Sequence, residues 1–217
     1  MCVRWENADV EKFTAVSGVA APLPQANIDT DVIMPKQFLK GITRDDLARG
    51  VFHDLRFDAA GREREEFVLN RPDYRHSRFL VVGPNFGCGS SREHAVWGLA
   101  QWGIRAIIGS SFASIFHDNC FRNGLLPVAL DPRQAAELQS ICADPRRSSL
   151  SVDLLEQVIE LHDGTLIRFA IDAMRRDDLL HGRDAVAATL QVAAEIEAFE
   201  HAHWTRWPWL QPQDPMS

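Results

Sequence analysis

The sequence predicts an α/β fold in which parallel strands alternate with helices. Three short apolar runs resemble buried strands, and they span residues 79–82, 106–108 and 125–130. Each is followed by a segment of helical pattern, and these segments span residues 91–102, 113–122 and 132–143. Strands that alternate with helices pair in parallel through crossover connections. Such sheets bind ligands beyond the carboxyl ends of their strands, so the loops after these runs are candidate sites.

The first third of the chain is predicted to add one strand and several loops. Residues 13–19 form a strand-like apolar run, and a proline-rich step at residues 22–24 follows it. Short polar side chains at residues 27–31 predict a turn, because they hydrogen-bond to their own backbone. Residues 35–44 mix apolar and basic side chains and are expected to be helical near their start. The charged residues 56–66 predict a surface loop.

The last third is predicted to contain a hairpin and a long helix. Residues 157–161 and 166–169 flank the pair Asp163-Gly164, which strongly indicates a hairpin turn. A helix is expected over residues 184–201, with an apolar face that we assign to the core; this face consists of Val186, Leu190, Ala193, Ile196 and either Phe199 or Ala198. The Trp- and Pro-rich tail, residues 204–217, is expected to be irregular and to dock onto this domain or onto a partner. The whole chain, 1–217, is predicted to form a single domain.

Composition narrows the class of protein. Of the 217 residues, 46% are hydrophobic, which is enough for a substantial core, and the formal net charge of −7 argues against a nucleic-acid surface. No apolar run approaches the ~20 residues of a membrane span, and the polar first residues lack the apolar segment of a signal peptide. We therefore expect a cytoplasmic protein without membrane or nucleic-acid partners.

The cysteines argue against a metal or cofactor site in this chain. The four are Cys2, Cys88, Cys120 and Cys142, and no two of them form a C-x-x-C pair. Zinc and iron–sulfur sites need such clustered ligands. We therefore predict that the chain binds no metal and no cofactor, and that its thiols stay reduced.

The run Gly87-Cys88-Gly89-Ser90-Ser91-Arg92-Glu93-His94-Ala95 is the most informative motif. It lies where a strand is predicted to give way to a helix, and its glycines allow tight turns and close approach to a ligand. A helix start offers unpaired N–H groups and a positive dipole, which suit an anion such as a carboxylate. Arg92 adds a planar fork that can hold a carboxylate through two hydrogen bonds.

Two other interpretations of this run are open from spacing alone. Ser90 and Glu93 have the spacing of a capping box, in which both side chains satisfy N–H groups of a helix start. Gly83, Gly87 and Gly89 have the look of a phosphate loop. No Lys follows with Walker spacing and no G-x-G-x-x-G is present, so a nucleotide site is disfavoured.

The run and several separated motifs resemble one family, the small subunit of 3-isopropylmalate dehydratase (isopropylmalate isomerase), which is grouped with the swivelling fourth domain of aconitase. The matching segments cover nearly all of the chain and include residues 27–40, 67–70, 85–95, 111–116 and 123–127. The resemblance implies a β/β/α swivelling domain with a mixed sheet, flanking helices and a C-terminal helix.

The resemblance also implies a function. Members are small subunits of a heterodimeric hydro-lyase that converts 2-isopropylmalate to 3-isopropylmalate by dehydration and rehydration, in leucine biosynthesis. The implied partner is a separate large subunit that carries a [4Fe-4S] cluster, and the implied substrate is a small dicarboxylate. The chain is then active only together with that large subunit.

The match carries roles over to individual residues. Ser90 takes the place of the catalytic serine base, and Ser91 and Arg92 take the places of substrate-carboxylate ligands. Asp31 lies in the active-site turn, where it orients an arginine or the loop; the alternative is that it only caps the turn. Phe38 and Leu39 match the region that discriminates substrate side chains. His94 is interpreted as a structural residue.

The chain departs from the family pattern after Arg44. Typical members carry Thr-Gly where this sequence has Asp45-Asp46. Three functions therefore stay open: the isopropylmalate enzyme, a paralogous dehydratase for a methyl- or dimethylmalate, and a non-catalytic binding module of the same fold. The aspartate pair either alters substrate choice or caps the helix that follows.

Overall fold

A mixed sheet of seven strands organises the chain in the computed structural model, which describes residues 10–39 and 47–211. The strands are β1 Ala15–Leu23, β2 Phe79–Val82, β3 Ala106–Gly109, β4 Leu126–Ala129, β5 Ser149–Asp153, β6 Val158–Leu161 and β7 Leu166–Arg168. The helices are α1 Thr30–Ile33, α2 His53–Arg56, α3 Glu93–Trp102, α4 Ser114–Arg122, α5 Pro132–Cys142, α6 Ala173–His181, α7 Ala185–Leu190 and α8 Ala193–Arg206. Short 3-10 turns lie at Lys36–Phe38, Leu47–Gly50, Val68–Asn70, Pro145–Arg147 and Pro208–Leu210.

The strand order is β4-β3-β2-β1-β5-β6-β7, and β1 is the junction between two halves. On one side β1 pairs in parallel with β2, from Ala20 opposite Phe79. On the other side it pairs antiparallel with β5, from Ala15 opposite Asp153. The half β4-β3-β2-β1 is parallel, and the half β1-β5-β6-β7 is antiparallel. The prediction of a mixed sheet, with a parallel part and a hairpin, is confirmed.

The prediction for β1 was wrong at both ends. The strand was expected over residues 13–19 with a proline-rich break after it, and it instead runs from Ala15 to Leu23. Pro22 lies opposite Val81 of β2, beyond the last residue of β1 that pairs with β5. A proline is tolerated there because one edge of the strand has no ladder to maintain.

The core lies on both faces of the parallel half. Alternate residues of β2 point to opposite faces, so Leu80 and Val82 join one apolar cluster while Phe79 and Val81 join the other. Helices α3 and α4 cover the first face, and α5 and the antiparallel strands cover the second. Because both faces of β2 are buried, its sequence is a continuous run of apolar residues.

Most predicted helices are confirmed within two residues. Helix α3 begins at Glu93 rather than at residue 91. It ends at Trp102 and is followed by Gly103, whose φ of 104° suits glycine. Helix α5 begins at Pro132 and is capped by Asp131, whose carboxylate accepts from Arg133 N at 2.8 Å. Strand β5 and helix α6 were not predicted.

The charged segment 56–66 is not entirely a surface loop, because Arg56 is buried. Its guanidinium lies 4.2 Å from the centre of the Trp102 ring and donates to Val51 O and Asn70 Oδ1, both at 3.3 Å. Burial lowers the pKa of Arg56. The remaining residues of the segment are exposed or half-buried, as expected.

The predicted helix over residues 184–201 is two helices, α7 and α8, and its apolar face is not in the core. The described side chains of that face are solvent-exposed or nearly so: Val186, Leu190, Ile196 and Phe199 have 57%, 62%, 36% and 68% of their surface exposed. Trp204 belongs to α8, and Trp209 is also exposed. The assignment of this apolar face to the core was therefore wrong. Apolar residues at helical spacing show that a helix has an apolar face, but they do not show what that face packs against. Residues 212–217 of the predicted tail lie outside the described residues.

No helix in the described ranges is long and apolar enough to cross a membrane.

Helix α6 is attached to α4 through a small polar network around His117. Arg175 donates to His117 Nδ1 at 3.1 Å and to Asp118 Oδ1 at 2.7 Å, and its guanidinium also lies over the Phe121 ring. A guanidinium can only donate, so Nδ1 of His117 must be unprotonated. Burial, and secondly the charge of Arg175, lower the pKa of His117 below its ordinary 6.5.

We predict that His117→Asn makes the stability of the protein less sensitive to acid. Because the folded pKa of His117 is depressed, the unfolded chain takes up a proton below about pH 6.5 that the folded chain refuses. Stability is therefore fully present above that pH and falls as the pH approaches the folded pKa. Asparagine accepts from Arg175 but does not titrate. Urea unfolding at pH 7.5 and pH 5.5 measures the difference, and an equal loss in both proteins would contradict the assignment.

Candidate functional site

Three loops meet at the carboxyl edge of the parallel strands. They follow β1, β2 and β3, and they comprise residues 24–31, 83–92 and 110–113. The loops after β2 and β3 are joined where Asn85 N donates to Ser111 Oγ at 2.9 Å and Ala113 N donates to Phe86 O at 3.0 Å. The predicted position of the site, beyond the carboxyl ends of the strands, is therefore where the motif residues meet.

The first two loops are hydrogen-bonded side by side along their backbones. Gly87 N donates to Ile28 O at 2.8 Å, and Thr30 N donates to Cys88 O at 2.9 Å. Residues Asp29 and Cys88 form a parallel bridge. The buried Thr30 then adds a side-chain bond, in which its hydroxyl donates to Ser90 O at 2.8 Å. The 27–31 turn and the 87–92 loop are thus one structural unit.

Glycines make this close approach possible. A side chain at Gly83 would overlap the carbonyl oxygens of Pro24 and Gln25 in the first loop. At Gly87 the backbone has a φ of 75°, and a side chain would overlap the ring of Phe116. Gly83 and Gly87 are therefore needed for the packing of the loops.

Four of the predicted site residues come together in this unit. Ser90 and Ser91 are exposed, and within the described ranges no side chain hydrogen-bonds to the Ser90 hydroxyl. Arg92 forms an ion pair with Asp31 through Nη1, and only 12% of the Arg92 side chain is exposed. Asp31 therefore orients the arginine. The alternative that Asp31 caps the turn is wrong, because Asp29 caps α1 by accepting from Val32 N at 2.8 Å.

The proposed capping box is also absent. The residue before α3 is Arg92, with no side-chain hydrogen bond to the first turn, so neither Ser90 nor Glu93 caps the helix. Glu93 instead accepts from Asn123 Nδ2 at 2.8 Å. The first N–H groups of α3 are consequently without a side-chain cap, and a ten-residue helix with a free start favours an anion there.

Sequence reasoning gave no role to Asn123 or Thr30, although both lie in motifs that it singled out. Asn123 follows α4 and accepts from Trp97 Nε1 at 2.8 Å, while its amide nitrogen donates to Glu93 and to Asn119 O. Asn123 bonds to Trp97 and Glu93, and Thr30 bonds to Ser90; in each pair the residues are at least 26 positions apart. Contacts over such distances along the chain cannot be predicted from the spacing of residues in the sequence.

Phe38 and Leu39 are not in the same cluster. Phe38 ends the turn Lys36–Phe38, and its ring lies 4.9 Å from the ring of His53. It lines a separate cavity of about 270 Å³, together with Arg49, His53, Arg56, Phe57 and Gly61. Leu39 is half-buried against the same core as α3. The predicted substrate-side-chain region continues through Asp45 and Asp46, which lie outside the described residues.

The described cysteines do not suit an iron–sulfur cluster. Cys120 and Cys142 are buried in the two different apolar clusters, and burial raises the pKa of Cys142 to about 12 and that of Cys120 well above its ordinary value. Cys88 is partly accessible, and its thiol lies 3.5 Å from Asn27 O. Across residues 10–39 and 47–211, no three His, Cys, Asp or Glu side chains are grouped to hold a metal. Cys2 lies outside these ranges.

We predict that Gly87→Ala is far more damaging than Gly61→Ala. The two glycines have nearly equal φ values, 75° and 77°, but a side chain at Gly61 would meet nothing within 4 Å. Gly61→Ala should therefore cost only the left-handed backbone penalty of about 1–2 kcal/mol. Gly87→Ala adds overlap with buried Phe116, about 1–3 kcal/mol more. Chemical unfolding measures both, and equal losses would show that the loop does not depend on this contact.

Two protein-family models match separate segments of the chain. A family model described as the aconitase C-terminal domain matches residues 10–133. A second model, described as the C-terminal domain of the 3-isopropylmalate dehydratase small subunit, matches residues 186–213. The first match includes all of the site loops. The second covers most of α7 and all of α8, the segment whose apolar face is exposed.

Individual relatives match along their whole length. The chain is 51% identical to the 3-isopropylmalate dehydratase small subunit 1 of Mannheimia succiniciproducens, over 93% of this chain and 100% of that protein. It is 52% identical to the 3-isopropylmalate dehydratase small subunit 2 of Salmonella typhimurium, over 95% of this chain and 99% of that protein.

A solved structure has the same fold. The 3-isopropylmalate dehydratase of Methanocaldococcus jannaschii matches with a TM-score of 0.60 and 27% identity, over 86% of this chain and 99% of that one. Fold and full-length identity agree, and the chain belongs to the family of 3-isopropylmalate dehydratase small subunits, within the aconitase C-terminal domain group.

Proposed function

We propose that this chain is the small subunit of an isopropylmalate isomerase of leucine biosynthesis, and that it contributes a serine base and a carboxylate-binding arginine to a shared active site. The observation that carries the proposal is the pairing of Asp31 with Arg92 beside two exposed serine hydroxyls. This arrangement leaves reactive groups at the surface on a rigid support, which suits a site completed by a second protein.

Arg92 is arranged to receive a substrate carboxylate. Asp31 engages Nη1, while Nε and Nη2 have no hydrogen-bond partner among the described residues and are not among the buried unpartnered atoms. The aspartate holds one nitrogen of the guanidinium, and the Nε–H and Nη2–H groups, which are parallel to each other, lie on another edge. A carboxylate of the substrate can then be held by two hydrogen bonds, with the exposed Ser91 hydroxyl as a third donor.

In this proposal Ser90 moves the proton. The reaction removes a proton from the carbon next to a carboxylate while a hydroxyl leaves the neighbouring carbon, and a carbon–carbon double bond forms. Water then adds across that bond with the opposite orientation. A serine oxygen is a poor base unless its anionic form is stabilised, and the uncapped start of α3 and the Arg92 charge supply that stabilisation.

In this proposal the large subunit assists the departure of the substrate hydroxyl. The described residues of this chain do not suit an iron–sulfur cluster, and the proposal gives a [4Fe-4S] cluster to the large subunit. The proposed division of labour gives this chain the carboxylate and the proton. The alternative substrate, a methyl- or dimethylmalate, uses the same groups and is separated from 2-isopropylmalate by comparing rates across these malates with the reconstituted two-subunit enzyme.

We predict that Ser90→Ala abolishes turnover in the enzyme reconstituted anaerobically with its large subunit. Loss of a general base costs about 10²–10⁴ in rate, while the fold should be unaffected because the exposed hydroxyl contacts no described side chain. Ser17→Ala, at an exposed hydroxyl in the antiparallel half that donates to Ser151, is the matched control. Near-normal kcat in Ser90→Ala would remove the serine from the mechanism and favour a non-catalytic binding module.

We predict that Arg92→Lys impairs the reconstituted enzyme although it keeps the charge. Lysine cannot bridge Asp31 and a substrate carboxylate in one plane, so both KM and kcat should suffer. A loss of about 10–100-fold in kcat/KM is expected for one lost bidentate contact. Steady-state kinetics measure it, and an unchanged kcat/KM would place Arg92 outside the substrate site.

A further inference from the structure

Asn123 bridges two residues on one face of α3. Its Nδ2 donates to Glu93 Oε1 at 2.8 Å, and its Oδ1 accepts from Trp97 Nε1 at 2.8 Å. Glu93 and Trp97 are four positions apart, so they lie one above the other on the helix. The orientation of the amide is fixed by these partners, since its nitrogen faces two acceptors, Glu93 and Asn119 O, and its oxygen faces a donor.

The bridge connects the first turn of α3 to the end of α4. Asn123 is the residue that follows α4, where its own N–H bonds back to Cys120 O and Phe121 O. Glu93 directly follows Arg92 in sequence, and it is the first residue of α3. Through Glu93, Asn123 therefore holds the residue next to Arg92.

The same bridge keeps the helix start open. A glutamate in the first turn is well placed to fold back onto the N–H groups of the helix, where its charge would compete with a bound carboxylate. In this chain the Glu93 carboxylate is turned away from that position by its bond to Asn123, and no side chain caps α3.

We propose that Asn123 is a positioning residue for Ser90 and Arg92, which holds the start of α3 in register and keeps Glu93 out of the anion site. The loop is then fixed from both ends, by Thr30 and Asp31 on one side and by Asn123 on the other. This inference rests on the proposed function for its kinetic consequence, while its structural part stands independently.

The test reverses the direction of the hydrogen bond between residues 123 and 93. Asn123→Asp places a carboxylate against the carboxylate of Glu93, which breaks the bridge while Trp97 keeps its acceptor. Adding Glu93→Gln to that variant supplies an amide donor to the new carboxylate and restores a bond of opposite direction. Glu93→Gln alone keeps an acceptor for Asn123. Tyr74→Phe is the control for stability, because it removes a buried hydroxyl that donates to Cys142 O at 2.7 Å, on α5.

The expected kinetic result is a loss followed by a rescue. Asn123→Asp should lower kcat/KM of the reconstituted enzyme by roughly 10–100-fold, since a displacement of about 1 Å costs up to about 10²-fold. The double variant should recover most of that loss, and Tyr74→Phe should lower Tm with kcat and KM unchanged. A purely structural Asn123 would lower Tm without changing kcat/KM, and that outcome, or a double variant that regains Tm but not kcat/KM, would overturn the proposal.

A second measurement separates this inference from the proposed function. Hydrogen exchange of the amides at residues 90–95 in the isolated chain needs no partner and no substrate. Asn123→Asp should accelerate that exchange and the double variant should slow it again. If the reconstituted wild type has no isomerase activity but the exchange follows this pattern, the proposed function fails and the bridge stands. If exchange at these residues is the same in all variants, the bridge does not hold the loop.

Discussion

The backbone pairing of the 27–31 turn with the 87–92 loop is the interaction on which the rest of the site depends. It joins segments that follow β1 and β2, and it is possible because these two strands are parallel neighbours whose carboxyl ends lie at one edge. Once the segments are paired, Thr30 reaches Ser90 O and Asp31 reaches Arg92 without further adjustment. The arrangement of the candidate site thus depends on the parallel pairing of β1 with β2.

This backbone pairing allows the serine hydroxyls to be exposed and yet held in a defined position. A serine that acts on a substrate shared with another protein must lie at the surface, where loops are usually variable. Here the exposed hydroxyls project from a segment whose backbone is bonded to Ile28, Thr30 and Ser111. The order of the site comes from backbone bonds and glycine packing, which leaves the side chains available for chemistry. Helix α3 contributes its dipole without a capping side chain in the way.

The sequence could predict the parts of the structure that are local. Apolar runs and helical periods located β2 to β4 and α3 to α5, and the motif 87–95 located the candidate site. Strand β5 was missed because Ser149–Asp153 is short and half polar, and only its pairing with β1 and β6 makes it a strand. The partner of Glu93 was missed because a glutamate three residues after a serine fits a capping box, while its actual partner, Asn123, lies 30 residues away along the chain. The apolar face of α7 and α8 was misassigned because hydropathy cannot tell a core contact from an exposed face.

The position of β1 between β2 and β5 has a consequence for the order in which the molecule is built. A ribosome releases β1 early, but the strand that covers its antiparallel edge, β5, follows only after residue 148. During synthesis the nascent chain therefore carries a strand edge with unsatisfied N–H and C=O groups, which is the kind of edge that recruits other chains. Closing so long a loop is also slow compared with forming the helices. That edge of β1 stays open to pairing with another chain until Ser149–Asp153 has been made and closes it.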